Sequence, residues 1–270
     1  RVKVAEWFRR WLYDDPDPAV PDAGAEAEIV EPDELYATPG GQCYYAGSRT
    51  IFHFTRDQAL KLRKTREKPL YAAANSSHAG ISGLTRAQET VRQKLRSLLR
   101  LDGVPVLQDP VYDTLETHPW QGGYSLSRLL LQSEPGITLH AAYIRRGNVP
   151  PDAPTVVYAA QDPIDAILQG SCDFASSCLR DGLDLFIVEL RGLGSVPSTP
   201  PKMSTGYRRM GVEGYHFYNY GMVGRNLLGC RVLDLWTAIR TLRHLTENEV
   251  PVRVYGHTLG GMVALFAAAL

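Results

Sequence analysis

The run Val252-Arg253-Val254-Tyr255-Gly256-His257-Thr258-Leu259-Gly260-Gly261 sets one hydroxyl-bearing residue, Thr258, between glycines. An apolar alternation precedes it and an apolar run follows. Gly-x-Thr-x-Gly in that setting suits a sharp strand-to-helix turn, in which small residues let the chain double back and the central side chain rises above the end of a sheet. A hydroxyl held there can attack a carbonyl carbon if a base takes its proton and N–H groups receive the charge that builds on oxygen. On this reading Thr258 is the nucleophile, and Gly256, Gly260 and Gly261 make the turn. The oxyanion donors are the N–H of Leu259 and one from the loop around Gln161, where Pro163 has no N–H to offer. A second reading needs no chemistry: the glycines allow close strand-to-helix packing in some other α/β fold.

A nucleophile in such a turn sits at positive φ, which a β-branched residue resists because its extra methyl crowds the backbone. Thr258 therefore fits either a working nucleophile or a degenerate turn kept for packing. The seven histidines all precede or flank the turn. His257 reads as a packing or orienting residue, and His140 on a strand and His244 late in a helix have structural readings, so none is the candidate base. Residues 215–220, Tyr-His-Phe-Tyr-Asn-Tyr, are aromatic enough to stack on sugar rings, but packing onto the sheet is the preferred reading. Cys43, Cys172, Cys178 and Cys230 match no Cys-x-x-Cys spacing for zinc or redox chemistry. If Cys172 and Cys178 share a helix they lie on different faces, which argues against a mutual disulfide. No metal and no cofactor is implied.

The elements that must carry these residues alternate from residue 124 onward. Residues 124–131 and 136–144 are strand candidates joined by Ser133-Glu134-Pro135-Gly136, the signature of an antiparallel hairpin. Residues 155–160 and 183–190 are short apolar runs, and Asp162-Pro163 supplies an N-cap with proline at the first helical position. Leu228, Val232, Leu235, Ile239 and Leu242 share one face of a helix over 227–245; residues 252–255 are a third buried strand, feeding a helix from Gly260. Strand and helix in alternation predict an α/β fold, a mostly parallel sheet with helices on both faces.

The beginning of the chain is different in character. Val4, Trp7, Phe8, Trp11 and Leu12 make residues 1–13 an amphipathic helix, the expected last helix of a preceding module. Residues 14–34, with four prolines among acidic and small residues, read as a linker. Residues 35–123 are expected to form an N-terminal extension or cap, and 124–270 the N-terminal part of the catalytic core. Within the extension, 44–54 reads as strand around Ala46-Gly47-Ser48, and capping boxes Thr55-x-x-Gln58 and Thr85-x-x-Gln88 each open a helix, the second with a core stripe of Val91, Leu95 and Leu98.

A further stretch makes a resemblance specific. Glu189-Leu190-Arg191-Gly192-Leu193-Gly194-Ser195 follows a buried strand, where related hydrolases carry Asp-x-Arg-Gly-x-Gly-x-Ser. With Ser133-Glu134-Pro135-Gly136-Ile137, Gly229-Cys230-Arg231-Val232-Leu233-Asp234 and the turn at Thr258, the chain resembles the acetyl xylan esterase and prolyl oligopeptidase branch of the α/β-hydrolases. The resemblance covers most of residues 28–270, and two-module members of the branch also place an amphipathic helix before an acidic, proline-rich linker. It implies an α/β-hydrolase fold truncated after the helix of the nucleophile elbow, an acyl-enzyme mechanism, and ester substrates such as acetylated xylan-like polysaccharide. It also implies an upstream hydrolase-like module as partner and a secreted parent protein. The family nucleophile is serine where this chain has Thr258, and the acid and histidine follow the nucleophile in chain order, hence beyond Leu270. The alternative is a non-catalytic hydrolase-like module that packs on an active domain or holds a glycan.

Composition agrees with a core of this size and excludes some partners. With 44% hydrophobic residues and a formal net charge of zero, the chain has apolar mass for a core and no excess charge to recruit nucleic acid or an acidic membrane. Residues 262–270 are apolar but too few to span a bilayer, which takes ~20.

Overall fold

In the computed structural model, six strands make one sheet in the order β1-β2-β3-β5-β4-β6. They are β1 (Val111–Trp120), β2 (Tyr124–Glu134), β3 (Ile137–Arg146), β4 (Thr155–Ala160), β5 (Asp184–Glu189) and β6 (Val252–Gly256). The structure describes residues 2–17, 30–75, 80–104, 109–147, 154–196, 211–247 and 251–270. It divides into two units, Arg1–Ala72 and Ala73–Leu270, and the sheet belongs to the second.

The sheet is mixed, not mostly parallel as the alternation predicts. β1 to β3 form an antiparallel meander, and β5 joins β3 antiparallel before β4 and β6 continue in parallel. The expected hairpin is present: β2 and β3 turn through Pro135 and Gly136, with Gly136 at φ 78°, a value that favours glycine. β1 was not expected. It is the first strand of the order, exposed along most of its length and bulged between Thr114 and Glu116, so it lacks the buried alternation by which a strand is read. β4 and β5 are buried at every position, including Asp184 and Glu189 at the two ends of the apolar run in β5.

Helices cover both faces. α1 (Val2–Leu12), α2 (Ile51–Asn75) and α3 (Gly80–Leu98) precede the sheet, and α4 (Ile164–Ala166), α5 (Asp173–Arg180), α6 (Gly211–Met222), α7 (Leu227–Thr246) and α8 (Leu259–Ala269) follow within it. On one face Val157, Phe186 and Val188 pack with Val232, Leu235 and Leu242 of α7 and Val263 of α8. On the other, Val156, Tyr158, Leu185 and Ile187 pack with Ile164, Ile167, Ala175 and Cys178. Successive residues of one strand serve opposite cores because strand side chains alternate. α7 buries far more than one stripe, Arg231, Asp234 and Thr237 included. Cys172 precedes α5 and Cys178 lies on it, and both are free thiols, as are Cys43 and Cys230.

The early segments depart from their sequence reading. Residues 44–54 hold a 3-10 turn (Cys43–Ala46) and the start of α2 instead of a strand. α2 begins a turn before Thr55: Thr50 takes the capping position and its N–H donates to His53 Nδ1 at 3.2 Å, so histidine stands where the box expects Glu or Gln. Thr85 likewise lies inside α3. Val91 and Leu98 are exposed, and the chain reaches the core just past α3, through Leu99 and Leu101. α1 forms as expected, with Val4, Trp7, Phe8, Trp11 and Leu12 exposed. Residues 18–29, most of the expected linker, lie outside the described residues.

Candidate active site

β6 delivers the chain to Thr258, which stands at φ 48° and ψ −114° immediately before α8. For a β-branched residue this conformation is strained at a cost of ~1–3 kcal/mol, so the surroundings must impose it. The glycines show how. A Cβ on Gly256 would overlap the backbone of Gly260, and a Cβ on Gly260 would overlap the carbonyl of Ala159 in β4. The turn folds onto itself and onto the neighbouring strand with no room for a methyl group. One residue earlier, Tyr255 stacks on Phe174 with centroids 3.5 Å apart and meets the edge of Tyr158 at 5.1 Å, which fixes β6 from the other face. Burial raises the Tyr255 hydroxyl above its ordinary pKa, in keeping with a ring held for packing.

The structure brings Gln161 to Thr258. The Thr258 hydroxyl donates to Gln161 Oε1 at 2.6 Å, across the gap between the ends of β6 and β4. The sequence reading took only the backbone N–H of Gln161 as a candidate group. Leu259 is the first residue of α8, where an N–H has no carbonyl of its own helix to bond. His257 is exposed, and its carbonyl accepts from Gly261 N. His140 bonds Ser195 Oγ at 3.1 Å and His244 bonds the Tyr112 hydroxyl at 3.2 Å, so both have structural partners as expected. Residues 215–220 form part of α6, in which no residue is buried; Phe217 and Tyr218 are exposed, against the packing role expected of them.

The loop after β4 is capped differently from its sequence reading. Pro163, not Asp162, takes the N-cap position of α4, and a prolyl residue has no side-chain group to offer there. The cap comes from another strand: the Ile164 N–H donates to Glu189 Oε1 at 2.8 Å. Glu189 Oε2 accepts from Ser195 N at 2.8 Å and from Ser195 Oγ at 2.6 Å. Beside it, Gly194 N donates to the Gln161 carbonyl at 3.0 Å. An acidic residue closing an otherwise apolar strand was the sequence signal for this arrangement.

Arg191, in the turn after β5, is the centre of a largely buried ionic network. The Arg191 guanidinium donates to Asp234 and to Glu134 Oε2, both Arg191 contacts being 2.6 Å, and Arg225 reaches Glu134 Oε1 at 2.7 Å. Ser133 Oγ completes it by donating to Asp234 at 2.7 Å. Burial works against ionisation of Glu134, but hydrogen bonds and charge from Arg225 and Arg191 outweigh it and hold the carboxyl below its ordinary value. Apart from Arg225, these are residues of the Ser133-Glu134, Arg191-Gly192 and Gly229–Asp234 stretches, so separate segments of sequence converge on one ion cluster.

No protein-family model matches the sequence, and no curated protein matches it. Solved structures do. A protein assigned as an acetyl xylan esterase from Bacteroides fragilis superposes with a TM-score of 0.55 at 12% identity, over 70% of this chain and 51% of its own. Acetyl xylan esterase 1 from Thermoanaerobacterium sp. has a TM-score of 0.41 at 14% identity, over 67% of this chain and 53% of that one. A glucuronoyl esterase from Solibacter usitatus has 0.43 at 11%, over 67% and 55%. The chain thus spans about half the length of the structures it matches, and what it shares with the Bacteroides protein is an α/β fold built on a mixed sheet.

Proposed function

We propose that the turn at Thr258 is the nucleophile elbow of an α/β-hydrolase-type esterase, with acetylated polysaccharide as its substrate class. The observation that carries this reading is the backbone of Thr258, held at φ 48°, ψ −114° by glycines that admit no methyl group. Strain of that kind persists where a reacting side chain must be presented. In the proposed reaction a base removes the Thr258 proton as Oγ1 bonds to the ester carbonyl carbon. The N–H of Leu259 and one from the Gln161 loop receive the oxyanion. The alcohol leaves with the proton from the base, and water then hydrolyses the acyl-enzyme by the same steps in reverse order. Before attack the hydroxyl must turn away from Gln161 Oε1, to which it now donates.

None of the described histidines is assigned as the base. In support, the hydrogen bonds of His140 and His244 engage them elsewhere. A second reading, a non-catalytic module, is favoured by the β-branched residue at the elbow and by the engagement of its hydroxyl with Gln161.

Hydrolysis of p-nitrophenyl acetate by the full-length protein separates the two, with any upstream elbow serine disabled. Thr258→Ala is expected to lower kcat by at least ~10²-fold while Thr258→Ser keeps activity. Equal inertness of wild type and both variants would remove the esterase reading and leave a binding or structural module.

A further inference from the structure

We propose that Glu189 is a positioning residue: its carboxylate locks the loop after β4 to the turn after β5, and so sets Gln161 against Thr258. The link to the active site rests on the elbow reading above; the lock itself does not. Glu189 is the last residue of β5 and is 4% exposed. Its two oxygens face three donors, Ile164 N, Ser195 N and Ser195 Oγ. Backbone bonds also join the two segments, from Leu190 N to the Ala160 carbonyl at 3.1 Å and from Gly194 N to the Gln161 carbonyl at 3.0 Å, and the Glu189 carboxylate adds to them the link that reaches Ile164. Gly194 allows the lock to close. It stands at φ 75°, and a Cβ there would overlap the Glu189 carboxylate. With no side chain in the way, the Gly194 N–H reaches the Gln161 carbonyl at 3.0 Å.

The bonds form an unbroken line along the carboxyl ends of the strands. Thr258 after β6 touches the side chain of Gln161 after β4; the Gln161 carbonyl takes the N–H of Gly194 after β5; Ser195 next to it takes Glu189; and His140 on β3 closes the line on Ser195. Because its hydroxyl proton points to Glu189, Ser195 presents a lone pair to His140, which makes it a connector and not a nucleophile.

Charge and shape are both required of residue 189. A glutamine there offers one acceptor and one NH2 to two arms that each present a backbone N–H, so whichever way it turns one buried N–H is left without an acceptor. Hydrogen exchange on the full-length protein reads this directly. Glu189→Gln is expected to raise exchange at Ile164 or at Gly194 and Ser195 by roughly tenfold or more, with the amides of β4 and β5 unchanged. In the p-nitrophenyl acetate assay the same variant is expected to lose kcat by about tenfold with little change in KM, because a displaced Gln161 loop weakens oxyanion contacts and not ester binding. Wild-type exchange at all three amides overturns the lock. Faster exchange with an unchanged kcat overturns its link to the site. An inactive wild type removes the elbow reading, while exchange still decides the lock. Gly194→Ala, whose methyl would overlap the Glu189 carboxylate while leaving its charge in place, guards against a Glu189 variant that fails to fold: wild-type exchange at Ile164 and Ser195 in that variant overturns the lock as well.

Discussion

Thr258 combines the least suitable side-chain class with a demanding backbone. At φ 48°, ψ −114° it lies outside even the left-handed region that single residues visit in turns. Its γ-methyl is the part that crowds, so the strain can be separated from the chemistry. Thr258→Gly is expected to stabilise the fold by ~1 kcal/mol, the relief of strain less the entropy that glycine adds to the unfolded chain. A urea midpoint that falls instead would mean that the backbone is at ease with threonine. This residue was legible in sequence because glycines at fixed offsets have one main structural use. The partner of its hydroxyl was not. Gln161 sits 97 positions away, and nothing local marks its side chain, as opposed to its N–H, as the group that meets Thr258.

Among the elements, α8 is joined closely to both β6 and β4. Gly256 lies against Gly260, and Gly260 lies against the Ala159 carbonyl, so α8 rests directly on β4 as well as on the strand that leads into it. Gly260→Ala must push helix from strand, and a loss of about 2–3 kcal/mol is expected from overpacking at a site with no flexible neighbour to yield. Chemical denaturation measures it, and a loss under ~0.5 kcal/mol, the range of an ordinary surface change, would show that the joint can relax. The strands were legible where burial gave them an apolar run, as in β4 and the centre of β5; β6, expected as a buried strand, is half-buried with Arg253 exposed, and was legible from the alternation that leads into the glycine turn. β1 escaped because an exposed, bulged strand carries no alternation. α2 and α3 were found but misplaced at their starts: Thr-x-x-Gln recurs by chance inside helices, whereas the Thr50 and His53 pair that opens α2 departs from the usual box.

Across the sheet-bearing unit, Glu134 joins the β2–β3 hairpin to the turn after β5 and to the segment before α7, with partners 57 and 91 positions distant. Such a network leaves no periodic trace in sequence, so Glu134, Arg191 and Asp234 were visible only within the stretches that carry the family resemblance, and Arg225 not at all. Its pH dependence has a definite sign. The folded carboxyl titrates below its unfolded value of ~4.3, so it adds stability that is complete well above that pH and is lost as pH falls through the folded value. The stability gap between wild type and Glu134→Gln should therefore be widest near neutrality and shrink in acid below pH ~4.3. A gap constant with pH would assign the loss to shape and not to charge. The strand order also carries a consequence for biosynthesis. β4 must wait for β6, its parallel neighbour, until nearly a hundred further residues have been made, whereas β1, β2 and β3 pair with their neighbours as they emerge. The elbow is thus the last part of this sheet to be assembled, and its strained threonine is set in place only after the scaffold that holds the strain already exists.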